Sequence, residues 1–138
     1  MPTEAEKIER IDMSEKEIEN SLKDFFKKYD LVLKKKSEKG FIWGNDEYNL
    51  NFIYGLERYY WFVPQGLNVE IKNKTYSFSN IFYFIQWNQN LEYLDFHKTL
   101  ISYRKYAKYL ELRLIPFLNM DNNIEKIEAF LEKPPWNK

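Results

Sequence analysis

Tyr48-Asn49-Leu50-Asn51-Phe52-Ile53-Tyr54 decides the fold. Tyr48, Leu50, Phe52 and Tyr54 share one side of an extended chain, and Asn49, Asn51 and Ile53 share the other. A period of two with a wet and a dry face predicts a half-buried strand. Gly44-Asn45-Asp46-Glu47 before it and Gly55-Leu56-Glu57 after it read as turns. Upstream, Leu31 to Lys36 and Phe41-Ile42-Trp43 read as two strands joined by Ser37-Glu38-Lys39-Gly40. Downstream, Arg58 to Val63 reads as a strand closed by Pro64-Gln65-Gly66. The alternation of Leu67, Val69 and Ile71 comes next, then a turn at Asn73-Lys74 and a short strand over Thr75 to Phe78. These stretches predict an antiparallel meander of five or six strands with short connections.

Helical spacing flanks the meander. Ser14 and Glu17 form a capping box for a first firm helix, with Met13 stapled onto Ile18 and a buried face at Ile18, Leu22, Phe25 and Tyr29. Residues 1–13 are expected to be a flexible lead-in. Ile81, Phe82, Phe84 and Ile85 fit a short helix capped by Ser79, although Ile81, Tyr83, Ile85 and Trp87 also fit a strand; the polar flanks favour the helix. Tyr93, Phe96, Leu100, Tyr103, Ala107, Leu110, Leu114 and Phe117 recur at steps of three and four, which predicts a long helix from an Asn90 cap to Pro116. Asn122 with Glu125 caps a last helix carrying Ile124, Ile127, Phe130 and Leu131. Pro134-Pro135 ends it, leaving 133–138 as a short tail. The whole predicts one α+β domain, 1–138, with an N-terminal helix and two or three C-terminal helices packed on one face of the sheet. The open face would carry a second set of aromatics.

Composition narrows function. Lys plus Arg equals Asp plus Glu, 21 each, so no global field steers a polyanion, which argues against nucleic acid. Lysines and tyrosines do interleave on the long helix at Lys98, Lys105, Tyr106, Lys108 and Tyr109, the pattern of a single-strand binder or of an ordinary solvent face. The run Lys34-Lys35-Lys36 reads as gatekeeper charge at a hairpin end. Cysteine is absent, which excludes thiolate chemistry and fits a reducing compartment. The opening Met1-Pro2-Thr3-Glu4-Ala5-Glu6-Lys7 has no apolar core of a signal peptide, and no apolar run reaches the ~20 residues of a membrane span. A cytoplasmic protein with no membrane partner is expected. His97, the one histidine, has no carboxylate at a helical offset. No nucleophile motif, metal motif or phosphate loop appears, so neither an enzyme nor a cofactor is expected.

Aromatics make up 19% of the chain, 11 of them Tyr. They concentrate between residues 41 and 63, where Trp43, Tyr48, Phe52, Tyr54, Tyr59, Tyr60 and Trp61 outnumber what one sheet face can bury and, beside Arg58, suggest a protein-binding surface. With the stretches Phe41-Ile42-Trp43-Gly44 and Tyr59-Tyr60-Trp61-Phe62-Val63-Pro64, the chain resembles in general type the immunity proteins of bacterial polymorphic-toxin systems. That resemblance implies a non-catalytic inhibitor that binds the catalytic domain of a cognate toxin. The expected partner-binding residues are Asp46, Glu47, Tyr54, Glu57, Tyr59 and Tyr60, turn acids beside tyrosines that mimic a polyanionic substrate. A structural or regulatory homodimer through the long apolar stripe is the alternative, followed by an enzyme with a small-ligand pocket between helices and sheet and by a single-stranded nucleic-acid binder.

Overall fold

The computed structural model describes residues 3–56, 62–96 and 103–135, with backbone only at 54–56, 62–65 and 103. Helix α1 spans Glu4–Lys28. It starts ten residues before Ser14, because Thr3 already caps it: the Thr3 Oγ1 accepts from the Glu6 amide at 3.1 Å. The turns between are built of Glu, Ala, Lys and Arg, good helix formers that need no buried face to stay helical. Ser14 is instead a small buried residue in the stripe Ser14, Ile18, Leu22, Phe25 and Phe26, and Met13 stays exposed and staples nothing. Asp30 takes a left-handed conformation (φ 56°), and the Leu31 amide reaches back to the Phe26 carbonyl at 2.8 Å. That Schellman turn stops the helix and aims the chain into the sheet.

Five antiparallel strands come next in meander order: β1 Val32–Ser37, β2 Gly40–Gly44, β3 Tyr48–Leu56, β4 Phe62–Ile71 and β5 Lys74–Ser77. Phe62 and Val63, the described end of the strand expected over Arg58 to Val63, belong to one strand with the alternation from Leu67 to Ile71. Tyr54 pairs with Pro64 and Ile53 with Gly66, so Gln65 is the extra residue of a β-bulge rather than the tip of a turn. A bulge is where a strand tolerates proline, which has no amide to give the ladder. The β4–β5 hairpin turns on Lys72 and Asn73, both at positive φ, one residue earlier than the spacing suggested.

Register places Phe41, Phe52 and Leu67 in one row, and Trp43, Leu50, Val69 and Tyr76 in the next. All seven are buried, on the face that the helices cover. Phe26 of α1 stacks on Trp43 with centroids 4.9 Å apart. The open face is not aromatic among the described residues. It bears Ile42, Asn49, Asn51, Ile53, Asn68, Glu70 and Thr75, the opposite phase of the same alternation. The lysine run on edge strand β1 has intramolecular partners. Lys36 pairs with Asp12 and Glu15 of α1, and Lys34 donates to the Asn45 carbonyl at 2.8 Å and Asn49 Oδ1 at 2.9 Å. The register shift between Leu33 and Lys35 further disrupts that edge, as protected edges do.

Helix α2, Phe78–Asn88, settles the ambiguous stretch as helix, capped by Ser77 rather than Ser79. Its apolar residues run almost all round, because it is buried between the sheet and the last helices; that blurs the period. Asn90 does not cap a following helix. It sits at φ 51° and ends α2, with the Leu91 amide donating to the Gln86 carbonyl at 2.8 Å. Residues 91–95 are not helical, and Tyr93, placed on the apolar stripe by its spacing, is 72% exposed. His97 and Lys98 lie outside the described residues.

Helix resumes as α3 Tyr103–Tyr109, runs through a π-helical turn at Leu110–Leu114, and continues as α4 Ile115–Leu118. The wide turn absorbs Pro116 inside the helix instead of ending it there. The Ile115 amide bonds the Leu110 carbonyl, and the Leu112 carbonyl, which proline cannot serve, accepts from Arg113 Nη1 at 3.4 Å. Leu110, Leu114 and Phe117 of the expected stripe are fully buried. Tyr106, Tyr109 and Arg113 turn inward, so neither tyrosine forms a stacking platform beside the lysines. Helix α5, Asn123–Glu132, buries Ile127 and Phe130 as expected. Asn122 does not cap it, being left-handed; Asn123 holds the helix entry by donating to the Phe117 carbonyl at 3.1 Å. No helix among the described residues is long and apolar enough to cross a membrane.

Buried tyrosines set the alkaline limit of this fold. Burial, then a hydrogen bond to Glu128, pushes the Tyr76 phenol up to about 12. Burial likewise raises Tyr48, Tyr83 and Tyr106. A raised phenol keeps its proton in the native state where the unfolded chain has lost it. The stabilisation is therefore complete below the ordinary value near ~10 and is lost as pH rises through the native values. Circular dichroism against pH is expected to show unfolding in that alkaline window, with tyrosinate absorbance appearing in the same transition. Stepwise tyrosine titration of a chain that stays folded would contradict it.

Candidate functional site

Alternate turns of a meander fall at opposite ends of its sheet, and this places those expected site residues that the structure describes. Asp46 and Glu47 occupy the β2–β3 turn, at the end where α1 finishes and β4 meets β5. Strand β3 has nine residues, so Tyr48 and Leu56 lie roughly 26 Å apart at ~3.3 Å per residue. Tyr54 belongs by its backbone to the far part of β3, and its side chain is not among those described. Glu57, Tyr59 and Tyr60 lie outside the described residues, in the segment joining the paired residues Leu56 and Phe62. Asp46 and Glu47 are thus brought together at one end of β3, and the backbone of Tyr54 lies toward the other. Trp43, Tyr48 and Phe52, counted among the excess aromatics, are buried under the helices.

The Asp46–Glu47 turn is built by Asn45. Its Oδ1 accepts from the Glu47 amide at 2.8 Å and the Tyr48 amide at 3.0 Å, and its Nδ2 donates to the Tyr29 carbonyl at 2.9 Å. The first two bonds form an Asx turn; the third fastens the turn to the end of α1. The end of α1 is in turn fastened to the π-helical turn. Glu111 accepts from Tyr29 Oη at 2.6 Å and from Lys28 Nζ at 3.2 Å. Burial and then this carboxylate raise the Tyr29 phenol, and the same carboxylate raises the Lys28 ammonium.

Two clefts flank the turn. One, of about 390 Å³, lies between the end of α1, the turn and α4, and is lined by Lys28, Tyr29, Asp30, Tyr48, Ile115 and Leu118 as well as by the turn itself. The other, of about 610 Å³, lies between the turn, Ile71-Lys72 and the loop from Leu118 to Glu125. Asp30, Asp46, Glu47, Asp121 and Glu125 face them, against Lys28 and Lys72. All five carboxylates are exposed. A chain of zero net charge therefore gathers a surplus of negative charge at one end of its sheet. No group of three or more His, Cys, Asp or Glu placed to hold a metal ion occurs among the described residues.

At the floor of the smaller cleft, Tyr48 is 4% exposed and its hydroxyl makes no hydrogen bond. The Asn45 side chain stands beside it, its Oδ1 taken by the Glu47 and Tyr48 amides and one of its two amide N–H groups by the Tyr29 carbonyl, which leaves the other N–H as the polar group nearest the phenol. Burial, with Tyr29 and Glu47 nearby, disfavours the phenolate, so Tyr48 is a neutral hydroxyl. Leaving such a group unsatisfied costs about 1–3 kcal/mol, and deleting it with its shape kept returns part of that. Tyr48→Phe is therefore expected to be more stable than the wild type by about 1 kcal/mol in urea titration. A loss of stability would mean that the hydroxyl is satisfied in solution.

Sequence reasoning singled out Asp46 and Glu47 but missed Asp30, Asp121, Glu125 and the Tyr48 hydroxyl. Turn parity alone would have put Asp30 beside the Asp46–Glu47 turn. The α4–α5 loop has no such signal, since its position depends on how the helices dock. Comparison of the chain with protein-family models, curated proteins and solved structures finds no match.

Proposed function

We propose that this chain is a non-catalytic, cytoplasmic protein-binding inhibitor, similar to an immunity protein that neutralises a cognate bacterial toxin by covering its catalytic domain. The observation behind this reading is the acidic end of the sheet: five exposed carboxylates and two lysines around paired clefts, in a chain of zero net charge. Enzymes that act on polyanions present basic active sites, and an acidic surface on a rigid scaffold complements them. Such complementarity accelerates encounter and makes it salt-dependent. The turn is well suited to the task because Asn45 and the Tyr29–Glu111 contact hold it at both sides.

The test is co-expression in a laboratory bacterium. The C-terminal domain encoded by the reading frame immediately upstream is expressed with and without this chain. Killing by the domain alone and growth in the pair is the expected result. A harmless domain, or killing in both cases, overturns the reading. With a toxic partner in hand, Asp46→Ala with Glu47→Ala is expected to weaken binding and flatten its salt dependence. Tyr59→Ala with Tyr60→Ala tests the two expected tyrosines; loss of binding there alone would move the interface away from the clefts.

A further inference from the structure

Strand β1 is protected along only half of its free edge. The bulge at Lys34 and the ion pairs of Lys36 guard the lysine half, whereas Val32 and Leu33 stay 62% and 38% exposed. Beside this apolar half runs a groove of about 310 Å³ between β1 and α1. The buried rings of Phe26 and Trp43 lie at its floor, and Glu15, Glu19 and Lys23 form its helical wall. A free strand edge presents unpaired backbone groups, and exposed apolar residues on it favour pairing with another chain. We infer that this edge and the adjoining face of α1 pair with a second copy of the chain about a two-fold axis, with the two β1 strands antiparallel.

Charge selects the second copy. Glu15, Glu19, Lys23 and Lys27 follow one another at steps of four, so they form one slanting row along α1, acids first and bases last. A two-fold axis lays two such rows side by side in opposite directions, centred between Glu19 and Lys23. Each acid then meets a base: Glu19 faces Lys23 of the second copy, and Glu15 faces Lys27 of the second copy. Within one chain, Glu19, Lys23 and Lys27 form no ion pair with another described residue. Glu19 and Lys23 line the same groove as Leu31, Val32 and Leu33, so one axis serves helix and strand together. Centring the strands on Val32 sets Val32 beside its own copy and Leu31 beside Leu33, and keeps the lysine half outside the pairing. The surface shares no residue with the two clefts of the acidic end, and the result therefore bears on the dimer alone, whatever the fate of the inhibitor reading.

Sedimentation velocity of the intact chain between about 1 and about 100 µM tests this, because a helix face and half a strand edge lie at the small end of specific interfaces. A monomer–dimer equilibrium that weakens with added salt is expected. Glu19→Lys is expected to raise the dissociation constant by roughly tenfold, since the axis repeats each lost pair and replaces it with a repulsion. Adding Lys23→Glu to Glu19→Lys restores opposite charges across the axis and is expected to bring the dissociation constant back. Val32→Lys sets a lysine against its own copy and is expected to abolish the dimer. Positions 19, 23 and 32 are all exposed, so circular dichroism of the variants is expected to match the wild type. A monomer at every concentration, a dimer indifferent to Glu19→Lys and Val32→Lys, or a double variant no tighter than Glu19→Lys would overturn the inference.

Discussion

Phe82→Ala is expected to lower stability by about 4 kcal/mol. The ring is fully buried in α2, and its loss would be felt in every helical layer above the sheet. It meets Phe78 edge-on at 6.2 Å, Phe96 at 5.5 Å and Tyr109 at 5.7 Å. It also lies under the Arg113 guanidinium, 5.0 Å from the ring centroid. Arg113 is 6% exposed, its Nε has no partner, and its remaining bonds are to Gln86 Oε1 at 3.3 Å and the Leu112 carbonyl. No carboxylate among the described residues supports it, and burial pulls its guanidinium below the usual value. Removing the ring therefore opens a cavity and takes the π face from a buried cation. The same Gln86 also brackets Leu94, accepting from its amide at 3.1 Å and donating to its carbonyl at 3.2 Å, so the defect would spread to the segment after α2. Urea titration measures the cost as a shifted midpoint at unchanged slope. A loss below about 1 kcal/mol would mean that the π-helical turn and α2 can close over the space.

Gly40→Ala is the second large effect, expected at about 3 kcal/mol, at the upper end of what overpacking a well-packed site costs. A methyl group at Gly40 would stand 2.4 Å from the Phe52 carbonyl oxygen. That oxygen is backbone of the neighbouring strand, so no rotamer relieves the clash and β2 and β3 must move apart. Phe52, paired with both Phe41 and Leu67, cannot follow without disturbing the buried row. Gly66→Ala is the matched control: it lies on the adjoining strand, pairs with Ile53, and has open space where its methyl would go. It is expected to be neutral or slightly stabilising through the unfolded chain. Thermal melting of the two variants side by side decides the matter. Equal midpoints would show that the β2–β3 register has more slack than the structure gives it.

The acidic end of the sheet was half legible in the sequence. Asp46 and Glu47 stand in a recognisable turn, and Asn45 ahead of them is the residue that builds such turns. Three of the aromatics read toward a binding surface are buried instead. Trp43, Tyr48 and Phe52 looked too numerous for one face, yet α1 and α3 bring Phe26 and Tyr106 against the same face and bury them together.

The sequence by itself determined the features that near neighbours encode. The alternation from Tyr48 to Ile53, the stripe from Ile18 to Phe26 and the spacing of Ile127 and Phe130 each report a face that the local backbone repeats, and each appears in the structure as read. Tertiary structure alone decided where those periods break. Asn90 turns left-handed and separates α2 from the non-helical residues 91–95, the π-helical turn carries Pro116 and holds Arg113 buried, and Gln65 bulges out of one continuous β4. It also decided that Asp30, Asp121 and Glu125 stand beside Asp46 and Glu47, and that the Tyr48 hydroxyl is left without a partner. The physical reason is common to all of these. A period records the average environment of a segment, whereas an interruption is stabilised by contacts from distant parts of the chain, and those exist only once the layers have packed.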